Sequence, residues 1–172
     1  MNRLSLKESL FLGFCAVFIV FGRAAFRLHL SVPGHAMFFT IFFLILARGC
    51  VPAWFAATLT SLLAGVAAVL LGLGKGGPLI LAKFVLPGVV IDVGAALAPG
   101  MFQSYALCVL VAAAASSTKS LETYVVDVLL GMDKSVMIRH VLLEGVSAIP
   151  FGIAGGLLVP PVIRKLKSYG VI

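Results

Sequence analysis

The sequence predicts an all-α, polytopic membrane fold, a six-helix transmembrane bundle, on three observations. The chain has 172 residues, of which 62% are hydrophobic and 11% charged. Its mean hydropathy is +1.18, and glycine, proline and charged residues cut its apolar sequence into six runs. A bilayer core takes about 20 apolar residues per helical crossing. Six crossings therefore use nearly all of residues 1–172 as one transmembrane domain and leave no room for a separate soluble catalytic domain. The 13 Lys and Arg against 6 Asp and Glu give a net charge of +7. In a chain this apolar such an excess belongs at membrane flanks, which argues against a nucleic-acid partner.

Span 1 is expected over 9–26, ended by the turn Ser31-Val32-Pro33-Gly34. Arg3 and Lys7 before an apolar run give this segment the outline of a secretory signal, but Arg23 stands just before the small residues Ala24-Ala25 and five further spans follow. Span 2 is short, 35–48. Span 3 follows Pro52 over 53–73, where the glycine-rich stretch from Gly72 to Pro78 stops any helix. Span 4 covers 79–97 with a bend expected at Pro87-Gly88, and Ala98-Pro99-Gly100 closes it. Span 5 covers 101–118. Residues 122–134 repeat apolar positions at helical spacing but are interrupted by Glu122, Asp127 and Asp133, so they read either as an interfacial helix or as an extension of span 5. Span 6 covers 136–163, with a kink expected at Pro150 and a basic end at Arg164, Lys165 and Lys167.

An even number of spans puts both termini on one side. The basic tail abutting span 6 points to the cytoplasm of a plasma or inner membrane, with multiple passes. Arg27, Lys75, Lys119, Lys134 and Arg139 then fall on the outer side, where a ligand is one reason for positive charge. Cys15, Cys50 and Cys108 are odd in number and far apart, as packing residues are. No Cys or His spacing suits a metal, and no cofactor is expected.

Span 3 carries small residues every four positions: Ala53, Ala57, Ser61 and Gly65 on one face, with Ala64 and Ala68 on the neighbouring one. Small faces let helices approach closely in lipid, either within the bundle or against a partner subunit. Ala148, Gly152 and Gly156 give span 6 a similar face.

Charges inside a span are costly and face inward or face a site. Asp92 suits a salt bridge to Arg23 or Arg48, or a ligand contact. Arg23 and Arg27 lie one turn apart and either snorkel to headgroups or hold a ligand. Arg139, His140 and Glu144 open span 6, with His140 and Glu144 at i,i+4. They form either a self-paired cluster or a pocket wall with Lys75, Lys83 and Tyr124. Gly74, Gly76 and Gly77 around Lys75 either form a flexible turn or cradle an anion, without the spacing of a phosphate loop. No catalytic motif stands in a span.

Three segments carry a resemblance: Pro33-Gly34-His35-Ala36-Met37-Phe38-Phe39; Gly74-Lys75-Gly76-Gly77-Pro78-Leu79 with Lys83-Phe84-Val85-Leu86-Pro87-Gly88; and Gly152-Ile153-Ala154-Gly155-Gly156-Leu157-Leu158. With six spans and a basic tail, the chain resembles the substrate-binding S-components of energy-coupling factor (ECF) vitamin transporters. The resemblance implies a bundle that captures a small water-soluble vitamin or precursor near spans 4 to 6, and partners comprising two ATPase subunits and a membrane scaffold, the T-component. The metal-importing branch begins Met-His where this chain has Met1-Asn2, so the implied cargo is organic. The expected substrate contacts are Lys75, Lys83, Tyr124, His140 and Glu144, with no enzymatic step. Two alternatives are a small acyl- or phospho-transferase holding phosphate at Gly74 to Gly77, and an accessory subunit without a ligand.

Overall fold

The computed structural model describes residues 4–27, 34–73 and 80–169. Among them all regular structure is helical: α1 (Leu6–Arg27), α2 (Ala36–Cys50), α3 (Ala56–Leu70), α4 (Ile80–Leu97), α5 (Tyr105–Leu129) and α6 (Lys134–Ser168). Helices α1 and α6 are long and apolar enough to cross a membrane; α2 and α3 are apolar but shorter.

Local chemistry sets the ends. The α1 helix starts three residues before the expected span because Ser5 and Glu8 form a capping box: the Glu8 N–H donates to Ser5 Oγ at 3.2 Å, and the Ser5 N–H donates to Glu8 Oε2 at 2.7 Å. Helix α3 ends as expected before Gly72, whose φ of +63° suits a residue without Cβ. The N–H groups of Gly72 and Leu73 donate to the carbonyls of Val69 and Ala68. Gly131, with φ +69°, ends α5 in the same way: its N–H donates to Val128 and that of Met132 to Asp127. Residues 122–129 therefore extend the fifth helix, which resolves the two readings of that stretch. Pro87 lies inside α4, and Pro150, Pro160 and Pro161 lie inside α6, and each helix runs on past its prolines.

Consecutive helices pack antiparallel, with α2 at the centre against each of the others. Its buried face of Ile41, Leu44 and Ile45 joins Ile19, Phe84, Ile91 and Val159 in the core. Small residues set the closest approaches. A Cβ on Gly88 of α4 would collide with Ser61 and lie 2.9 Å from the Ala57 carbonyl oxygen of α3. A Cβ on Gly65 would meet Leu81 and Phe84. Gly152 and Gly156 of α6 lie against Ser116 and Ala112 of α5, and Gly155 lies against the backbone of Phe38 in α2. The stripe Ala53, Ala57, Ser61, Ala64, Gly65 and Ala68 is thus buried within the chain. It is not the free docking face named among the expectations: α4 lies against Ala57, Ser61 and Gly65, and Ala53 clusters with Leu12 and Cys15 of α1 and Ala47 of α2.

The outside is apolar where a soluble bundle would be polar. Leu10, Phe14, Val17 and Phe21 form an exposed stripe on α1, Val89, Val93 and Leu97 one on α4, and Ile138, Leu142 and Val146 one on α6.

Candidate functional site

The two ends of the bundle hold different charge clusters. At one end Asp92, near the C-terminus of α4, reaches the N-terminus of α3. Its Oδ1 accepts from the Ala57 N–H at 3.2 Å, and its Oδ2 accepts from both the N–H and the hydroxyl of Thr58 at 2.7 Å. First-turn amides have no intrahelical acceptor, so the carboxylate caps α3 from a neighbouring helix. Arg48, in the last turn of α2, places Nε 3.2 Å from Asp92 Oδ1. Of the expected partners for Asp92, Arg48 forms the ion pair. The Arg23 guanidinium lies instead over the Phe84 ring, 4.5 Å from its centroid.

The opposite end gathers side chains from α4, α5 and α6. Lys119 Nζ lies 3.0 Å from Glu144 Oε2, and the Thr123 hydroxyl donates to the same oxygen at 3.3 Å. His140 bridges two carboxylates, with Nδ1 2.8 Å from Asp127 Oδ2 and Nε2 3.6 Å from Glu144 Oε1. Asp127 is only 2% exposed. Glu122 is 3% exposed, and neither of its carboxylate oxygens has a hydrogen-bond partner. It sits in the electrostatic field of Lys119, Arg23 and Lys83. A cavity of about 140 Å³ opens between α4 and α5, lined by Ala82, Lys83, Leu86, Leu121, Glu122, Val125 and Val126.

Of the expected contacts, Lys83, His140 and Glu144 are brought to this end, Lys83 on the cavity wall and the other two in the ion network behind it. Tyr124 is 49% exposed and does not line the cavity; two residues along a helix from Glu122, it faces outward. Lys75 and the Arg27 side chain lie outside the described residues, as does the expected Gly74 to Gly77 cradle.

Lys119, Glu122 and Asp127 were not expected in the site. The signal for them was the small-residue face of span 5: Cys108, Ala112, Ala115 and Ser116 continue at helical spacing into Lys119, Glu122, Thr123, Val126 and Asp127. Hydropathy reads these as interruptions, whereas the face period puts them inside.

The site can bind and orient a small polar group between a cation and a carboxylate on an apolar wall. Among the described residues no group of three or more His, Cys, Asp or Glu is placed to hold a metal ion. No family model, curated protein or solved structure matches the chain.

Proposed function

We propose that this chain is a multi-pass membrane protein that captures a small water-soluble nutrient, a vitamin or its precursor, as the substrate-binding subunit of an importer of the energy-coupling factor type. The observation that carries the reading is the cluster of charged residues Lys83, Lys119, Glu122, Asp127, His140 and Glu144 beside a cavity, at one end of a bundle whose outer face is apolar. Ions so placed are costly in lipid and are retained where they contact each other or cargo.

Exposed apolar stripes on α1, α4 and α6 support residence in lipid, since soluble monomers rarely expose contiguous apolar surface on this scale. The other end supports an interface. Trp54 and Tyr169 are exposed there, Arg164 stacks over Tyr105 at 5.5 Å, and Lys165 and Lys167 follow. Aromatic and basic residues together anchor helix ends at headgroups, with the basic side cytoplasmic. Both termini are then cytoplasmic, and the cavity opens toward the outer leaflet.

The protein binds and does not catalyse. Reorientation is driven by two ATPase subunits through a membrane scaffold that contacts an outward face, the small stripe of α3 being covered. A cavity of about 140 Å³ is smaller than the roughly 300–1,000 Å³ of sites for drug-sized ligands, so in this form it accepts one polar end of a vitamin. Entry of the whole molecule requires α4 and α5 to part.

Mass spectrometry of small molecules retained by detergent-purified protein tests the proposal. A vitamin at near-stoichiometric amount, lost in Lys83→Ala and Glu144→Ala, is the expected result. Folded protein carrying no small molecule and binding none of the added vitamins contradicts it.

A further inference from the structure

We infer that Glu122 is a ligand-binding residue and that the cargo presents an N–H or O–H donor to its side-chain oxygens. The inference rests on the binding role proposed above and narrows the ligand class. Glu122 lines the cavity, is almost fully buried, and neither oxygen accepts a hydrogen bond.

The neighbouring acids differ. Glu144 is engaged by Lys119 and Thr123, Asp127 by His140, and Asp92 by α3. A buried carboxylate without donors carries an uncompensated desolvation cost, and the cost is recovered when a partner supplies them. Lys119 makes no hydrogen bond to it; its ammonium lies instead 3.0 Å from Glu144. The side of Glu122 toward the cavity is otherwise walled by Leu121, Val125 and Val126, which offer no side-chain donor. The cavity surface is apolar and the Glu122 oxygens lie closed off behind it, so a ligand meets them, with Lys83 on the same wall, as α4 and α5 part. An amine, an amino-heteroaromatic ring, a ureido group or a hydroxyl satisfies Glu122. A group without a donor leaves both Glu122 oxygens unsatisfied.

The test uses the full chain in detergent with equilibrium dialysis of two sets of vitamins. Thiamine, pyridoxamine and riboflavin carry N–H or O–H donors; nicotinate and lipoate in their ionised forms carry none. The expected result is binding confined to the first set and weakened at least about tenfold in Glu122→Gln, which replaces one acceptor oxygen by a donor. Glu122→Asp, which keeps both oxygens, should retain the donor preference and serves if the Gln variant does not fold. Preferential binding of nicotinate or lipoate overturns the inference while leaving the vitamin-binding role intact, as does unchanged affinity of a donor-bearing vitamin in folded Glu122→Gln. Failure of folded wild-type protein to bind any of the five overturns both.

Discussion

Asp92 holds Thr58 twice, its Oδ2 accepting from the backbone N–H and from the hydroxyl at 2.7 Å each. One side chain of α4 thereby supplies the cap that the sequence around α3 lacks, since Phe55 at the N-cap position makes no side-chain cap bond. The same carboxylate neutralises Arg48, so one group ties the end of α2, the start of α3 and the C-terminal half of α4 together.

Removing it should be among the most damaging single changes. Asp92→Ala leaves Arg48 without its counter-ion and the α3 amides uncapped, and a broken buried pair costs about 3–5 kcal/mol. Asp92→Asn keeps an acceptor and should cost less. Thermal unfolding in detergent checks the order, wild type above Asn above Ala; an Ala variant as stable as wild type refutes the capping role.

Glycine contacts predict a graded series. Gly155 faces the Phe38 carbonyl oxygen and Gly88 that of Ala57, and backbone cannot yield as a side chain tip can. Gly155→Ala and Gly88→Ala should each destabilise by about 1–3 kcal/mol, the cost of overpacking. Gly13 in α1 has nothing within 4 Å of its missing Cβ. Gly13→Ala should be neutral or stabilising by up to about 1 kcal/mol through helix propensity. Melting temperatures of the three variants decide it.

How much of this was legible beforehand depended on the kind of signal. Turn residues set the ends well: Gly72 stopped α3, and Ala98-Pro99-Gly100 separated α4 from α5, because backbone conformation there is a local property. The start of α1 was also written locally, in Ser5 and Glu8, but an apolar-run reading passes over a capping box. The last two turns of α5 were legible as helix, in one of two readings, but their burial was not, because Glu122 and Asp127 look like solvent residues until their neighbours are known. Their burial depends on His140 and the cations of α1, α4 and α5, which are remote in sequence. The pairing of Asp92 with Arg48 was within reach as one of two named partners; its cap on Thr58 was not, since nothing in the residue type tells which helix end lies beside it.

The His140 bridge predicts a local effect. With Asp127 buried and His140 Nδ1 at 2.8 Å, His140→Ala removes the side chain that contacts that carboxylate and should loosen the α5–α6 turn while sparing the Asp92 end. Hydrogen exchange should rise over the last turns of α5 and the first turns of α6. Exchange that rises equally across the molecule, or nowhere, contradicts this assignment.

Lys119 and Glu144 should be coupled. Each single Ala replacement leaves the partner in a half-buried site, so a double-mutant cycle on stability should give an interaction of about 0.5–3 kcal/mol. Strict additivity refutes the pair as a structural element.

The central claim is a bundle threaded through a bilayer with its two charged ends on opposite sides. Sided cysteine labelling tests it most directly. In a Cys50→Ser background, with Cys15 and Cys108 buried, single cysteines at Lys134 and Lys167 are exposed to a membrane-impermeant maleimide in right-side-out vesicles. The account predicts labelling of position 134 in intact vesicles and of position 167 only after permeabilisation. Equal labelling of both in intact vesicles, or recovery of the chain in the aqueous fraction, contradicts it.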